Sequence, residues 1–134
     1  MTYRDGGRGL FVFALDGKAP APTRAVAPVI PIDIAEFHPD PGKVKRGEHL
    51  FDNNCAYCHG TDALSGGAAP DLRASPLAAN RKALGEIVLK GLLQTGGMPQ
   101  YPHFSDHDVD SIYHYIRWRA RKDLAEGQQS AAAR

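Results

Sequence analysis

Residues 53–60, Asn-Asn-Cys-Ala-Tyr-Cys-His-Gly, hold both cysteines of a 134-residue chain. Two cysteines cannot build a disulfide framework, so Cys55-x-x-Cys58-His59 leaves three chemistries: half a zinc site, a redox dithiol, or covalent attachment of haem. A structural zinc site needs four ligands. No third cysteine exists, and His103 and His107 complete a Cys2His2 set only across a separation far longer than in compact zinc fingers, with His59 left unexplained. A redox dithiol sits beside a strand, at the start of a helix in a βαβ frame. Here the pair follows a helical pattern and precedes a Gly- and Ala-rich loop. Haem attachment accounts for more residues. Two thiols separated by two residues suit the two porphyrin vinyl groups, and the histidine that follows is directed at the iron.

A low-spin haem electron carrier needs a sixth ligand, and a thioether raises its reduction potential. Beyond Met1 the chain has one methionine, Met98, in the string TGGMPQY, 39 residues after His59. The glycines before it let the backbone approach a porphyrin closely, and Pro99 stiffens the turn. A methionine more often fills a core, but a Gly- and Pro-rich polar loop is a poor place for that. A metal-bound histidine usually donates its other ring N–H to a carbonyl or carboxylate. Pro70, in APDL, is placed to offer its carbonyl, and Leu72 then packs on the ring. Tyr57, Leu84, Val88, Tyr101 and Phe104 are further candidate walls, with Ala68, Ala69 and Gln100 bordering an exposed edge.

The formal net charge of +1 gives no nucleic-acid signature. No run approaches the roughly 18 apolar residues of a membrane span. The chain begins MTYRDGGRGL, without the apolar core of a secretory signal. Because haem is attached outside the cytoplasm, these facts together predict a piece of a larger exported, periplasmic protein. The expected form is a monomer.

Outward from the motif, helices are predicted. Val44, Gly47 and Phe51 share one stripe of a helix that stops near Asn53-Asn54. A second helix fits Arg81–Leu92, capped by Asn80, with Leu84, Ile87, Val88 and Gly91 on one face. A third starts after Ser105, with Val109, Ile112, Ile116 and Ala120 as its apolar stripe and arginines toward its end. The other histidines, His114 among them, are read as surface or helix-face residues, and the arginines as a solvated face. Residues 1–18 include a strand-like run, GLFVFAL, and 19–41 carry six of the ten prolines and form an extended connector. The helical domain takes in 42–124, and 125–134 is a disordered tail. Residues 1–35 are expected to be mobile or loosely docked. A thin core of this size calls for a staple or cofactor.

These strings resemble a class I cytochrome c from Gly42 to about Ala120. GEHLFDNNCAYCHG resembles the first helix and haem motif, PDL at 70–72 the proximal loop, GGMP at 96–99 the axial-methionine loop, and HYIRW the last helix, with Tyr115 opposite Gly47 and Phe51. The resemblance implies an all-α class I cytochrome c fold, three to five short helices around one covalent haem c. Cys55 and Cys58 would carry the haem, and His59 and Met98 would be its axial ligands. Pro70, Leu72 and Tyr101 would line it. GLFVFALDGKAP resembles the last propeller strand of type II quinohaemoprotein alcohol dehydrogenases, in which a cytochrome c domain follows a proline-rich linker. This implies electron transfer from reduced pyrroloquinoline quinone (PQQ) in a propeller domain to a periplasmic acceptor, a small copper protein or cytochrome. PQQ and calcium would belong to the parent enzyme only, and this chain would not itself be catalytic. The alternatives are a free-standing periplasmic cytochrome c, a zinc-stabilised binding module and a catalytic haem with an open sixth position.

Overall fold

A computed structural model of the chain describes residues 15–18, 29–65 and 69–132, with side chains to residue 127. Five α-helices run in the order α1 (Pro41–Asn54), α2 (Ala56–His59), α3 (Pro76–Ala79), α4 (Arg81–Lys90) and α5 (Asp106–Ala132). Two 3₁₀ turns, Thr61–Ala63 and Gln94–Gly96, lie between them. No strand occurs among the described residues, so the fold is all-α. The strand expected at 9–15 falls mostly outside them. Its last residue, Leu15, is exposed and turns with Asp16.

The core is the crossing of α1 with α5. α1 is started by Pro41 at its first position and by Asp40, whose carboxylate accepts the Lys43 amide at 2.8 Å. The stripe Gly47–Phe51 faces α5, where Val109, Ile112, Ile116 and Ala120 are buried at helical spacing. Phe51 and Tyr115 meet with ring centroids 5.3 Å apart. Gly47 is there because nothing larger fits. A Cβ at this position would lie 2.0 Å from the Ser111 carbonyl oxygen and 2.9 Å from Tyr115 Cβ. α5 opens with a reciprocal cap, in which Asp108 N–H donates to Ser105 Oγ at 3.2 Å and Ser105 N–H to the Asp108 carboxylate at 2.9 Å.

α4 begins on Asn80, which accepts the Ala83 amide at 3.0 Å, and buries Leu84, Ile87 and Val88. It ends at Lys90 rather than Leu92. Gly91 is not a face residue but the left-handed stop, φ 68°, that turns the chain toward Met98.

Four further expectations are corrected. α5 continues to Ala132, past Leu124 and through the stretch read as a disordered tail. Ala, Glu and Gln in AEGQQSAAA are strong helix formers, and one glycine costs only about 1 kcal/mol. Residues 29–35 are not loosely held, since the Ile32 amide donates to the Arg73 carbonyl at 2.9 Å. His114 is buried, 8% exposed, and its Nδ1 accepts the Asp40 amide at 2.9 Å. The α5 arginines are not a solvated face: Arg117 is buried and Arg119 pairs with Asp62 and Asp123. Trp118 covers the edge of the crossing. It stacks on Tyr115, with Arg119 and Lys122 over its ring.

Candidate functional site

The Cys-x-x-Cys-His string lies at a sharp corner. Cys55 ends α1, its amide donating to the Phe51 carbonyl at 2.7 Å, and α2 is the single turn that follows. Cys55 and Cys58 are three apart on that turn, so both thiols lie near one face, and both are free. The corner closes on Gly60 at φ 76°, where a Cβ would lie 2.0 Å from the Leu64 carbonyl oxygen. Asp62 and Ala63 then take positive φ without being glycine. Such residues are uncommon and persist where the surroundings hold them. Ala63 is sealed in the core and Asp62 is paired with Arg119 at 3.3 Å.

His59 is buried, 5% exposed, and its Nδ1 lies 3.0 Å from the Pro70 carbonyl oxygen. A carbonyl only accepts, so the proton is on Nδ1. Burial lowers the imidazole pKa, partly offset by the Pro70 bond, which favours the neutral ring. A neutral imidazole protonated at Nδ1 presents a lone pair at Nε2, the state a metal ligand requires. Burial pushes the Cys55 thiol up to about 12. This is the reverse of the lowered pKa that activates a redox dithiol.

Met98 lies half-buried against the central apolar cluster, as do Cys55, Leu72, Tyr101 and Phe104. Its loop is fastened mainly at the ends. The Met98 amide donates to the Leu93 carbonyl at 3.2 Å and the Tyr101 amide to that of Val88 at 2.8 Å. The Tyr101 hydroxyl donates to the Asn54 carbonyl at 2.7 Å, beside Cys55. Tyr101 therefore ties the Met98 loop to the cysteine corner, a role that spacing did not reveal. Gln100 donates to the Leu89 carbonyl at 2.8 Å.

Tyr57 is 99% exposed and packs on none of the core. Leu84 and Val88 belong to the buried core, and Ala68 lies outside the described residues. His103 is exposed and its ring stands against Phe104. Among the described residues, no group of three or more His, Cys, Asp or Glu is arranged to hold a metal ion, so His103 and His107 do not join the cysteines.

The donor set fits haem c. Cys55 and Met98 pack against one apolar cluster, and the buried His59 and exposed Cys58 follow Cys55 on the same turn. At Gly96 and Gly97 an added Cβ would meet nothing within 4 Å, which leaves that side smooth for a flat ring. No described helix is long and apolar enough to cross a membrane.

Comparison with known proteins agrees. Residues 42–116 match the family described as cytochrome c oxidase, cbb3-type, subunit III. Quinohemoprotein alcohol dehydrogenase ADH IIB of Pseudomonas putida is 36% identical over 127 residues, 91% of this chain and 18% of the relative. ADH-IIG of the same species is 33% identical over 128 residues, 95% of this chain and 16% of the relative. Lupanine 17-hydroxylase [cytochrome c] of a Pseudomonas species is 33% identical over 115 residues, 83% of this chain and 16% of the relative. The chain thus spans less than a fifth of each of these relatives. Its matched segment takes in the Cys55–His59 corner, the Pro70 loop and Met98, and the chain belongs to this family of haem c electron-transfer domains.

Proposed function

We propose that the chain carries one covalent haem c, joined through Cys55 and Cys58 and ligated by His59 and Met98. It passes single electrons from the reduced PQQ of a dehydrogenase domain to a periplasmic acceptor. The observation that carries this reading is the buried, neutral His59 whose Nδ1–H is committed to Pro70, next to two free thiols on one helical turn. The haem supplies reversible one-electron chemistry. The chain's residues do the rest. His59 is fixed in one tautomer by Pro70, and the Met98 loop is closed on itself by the Met98–Leu93 bond and tied to α4 and Asn54 by Tyr101. Holding the ligands in place through both oxidation states keeps the rearrangement on electron transfer small. Leu72, Tyr101 and Phe104 exclude water on the apolar side.

The dehydrogenase partner is supported by the length of the similarity. An alignment of 127 residues is longer than the helical domain and must include part of the proline-rich front. A free-standing carrier has no need of that segment.

Absorption spectra of the oxidised and reduced protein, made with haem-maturation machinery, test the site. Sharp c-type bands on reduction, with the weak far-red ferric band of a Met-ligated iron, are expected. Met98→Ala should keep the haem and lose that band. A protein without haem would overturn the proposal, and rapid binding of carbon monoxide or cyanide to the wild type would remove Met98 from it.

A further inference from the structure

Arg117 is 3% exposed, yet its partners are uncharged. Nη1 donates to the Ile32 carbonyl at 3.1 Å and Nη2 to the Leu72 carbonyl at 2.7 Å, with the Arg73 carbonyl at 3.5 Å. Its Nε–H is buried without a partner. Burying a guanidinium against neutral acceptors is costly, and an apolar side chain would fill the same space more favourably. What the guanidinium adds is geometry: its fork joins two chain segments that otherwise share only the Ile32–Arg73 backbone bond among the described contacts.

Those two segments are the end of the connector and the loop that begins at Pro70. The connector side is fastened again one turn on, where Arg121 donates to the Ile34 carbonyl at 2.7 Å and pairs with Asp33 at 3.0 Å. The loop side is stiff. Asp71 accepts from the Arg73 amide at 3.0 Å and from its guanidinium at 3.0 and 2.6 Å, and the same guanidinium reaches Asp123 of α5 at 2.6 Å. A displacement at Leu72 or Arg73 therefore has little slack to absorb it before Pro70, whose carbonyl accepts the hydrogen bond from His59 Nδ1–H.

We propose that Arg117 is a positioning residue for the axial histidine: by joining the connector at Ile32 to the loop at Leu72–Arg73, it makes attachment of the connector set the Pro70 carbonyl against His59 Nδ1. That bond tunes the ligand's basicity, so the connector, the segment leading toward any upstream domain, acts on the haem's potential. The inference rests on His59 being the axial ligand.

The test uses the haem-loaded full chain in the ferrous state. Ile32→Pro deletes the one amide bonded to Arg73 and keeps an apolar side chain. Arg117→Met deletes the fork, and Arg117→Lys keeps charge with fewer bonds. Solvent exchange of the His59 Nδ1–H by NMR and the midpoint potential are the readouts. Exchange at least tenfold faster in Arg117→Met, with a smaller increase in Ile32→Pro, potentials shifted in the same direction and partial recovery in Arg117→Lys, is expected. Arg46→Ala, which removes the exposed pair with Asp108, should change neither. A folded, haem-bearing Arg117→Met protein with wild-type exchange and potential would overturn the inference and leave Arg117 a staple. Should Arg117→Met not fold, Arg117→Lys, which cannot reproduce the fork, decides in its place, and wild-type exchange and potential in that protein would overturn the inference. A wild-type protein that takes up no haem would instead overturn the functional reading on which this one stands.

Discussion

At the α1–α5 crossing Phe51, Tyr115 and Ile116 are sealed from water, and a Cβ at Gly47 would sit 2.0 Å from a backbone oxygen. In the loop from Gly91 to Tyr101, by contrast, Leu92 is exposed and a Cβ at Gly96 or Gly97 would meet nothing within 4 Å. The crossing is held by packing distributed over many atoms. The loop is held by hydrogen bonds: its own turn at Gln94–Gly96 and the Met98–Leu93 bond shape it, and Gln100 and Tyr101 tie it to α4 and Asn54. The difference teaches where function can be adjusted. Changes in the crossing alter stability, while changes at the loop's anchors alter the site and leave the fold standing.

Substitutions that make or remove volume should separate the two regions. Phe51→Ala removes a fully buried ring and should cost about 4 kcal/mol in denaturant unfolding. A loss below about 1 kcal/mol would mean that the crossing is looser than it looks. Gly47→Ala forces α1 away from α5 and should cost on the order of 3 kcal/mol, whereas Gly97→Ala should be far milder in packing and expose only the strain of φ 93°. Equal losses at the two glycines would erase the contrast.

Smaller effects probe the anchors. Tyr101→Phe deletes the hydroxyl bonded to Asn54 and should cost about 1 kcal/mol. The same variant should weaken the far-red ferric band by loosening Met98. Unchanged spectra at reduced stability would make Tyr101 an ordinary core residue.

A pH series reads the other end of α1. His114 Nδ1 accepts the Asp40 amide, and its pKa is lowered, chiefly by burial and also by Lys43 and Arg81, against the opposing pull of Asp110 and Asp40. The unfolded chain then takes up the proton first. Stability should be complete above the ordinary value of 6.5 and decline as pH falls from there toward the folded value. In the haem-loaded protein, His114→Gln should flatten that slope, because an amide oxygen can still accept from Asp40 without titrating. A slope that persists in this variant would assign the effect to another group.

Much of the site was legible because its signals are local. The spacing of Cys55, Cys58 and His59, the Asn80 and Ser105 caps, and the apolar stripes of α4 and α5 are all set within one or two helical turns, where backbone geometry links sequence distance to direction in space. The exposure of Tyr57 was not legible, because a loop-rich corner has no period from which to read a face. Gly91 was misassigned for a related reason: a left-handed stop and a small face residue look alike in sequence. The α5 arginines read as solvated because helix-end basic residues usually are.

What the sequence by itself determined is therefore the all-α pattern, the Cys55-x-x-Cys58-His59 string and the two loops that carry Met98 and Pro70. Tertiary structure alone decided which polar groups the fold would bury and with whom. His114 meets Asp40 across 74 residues of chain, and Arg117 meets Ile32 across 85. No local rule predicts such pairs. Most buried donors find an acceptor wherever packing happens to bring one within reach, and that placement depends on how α1, α5, the connector and the Pro70 loop close around a single core.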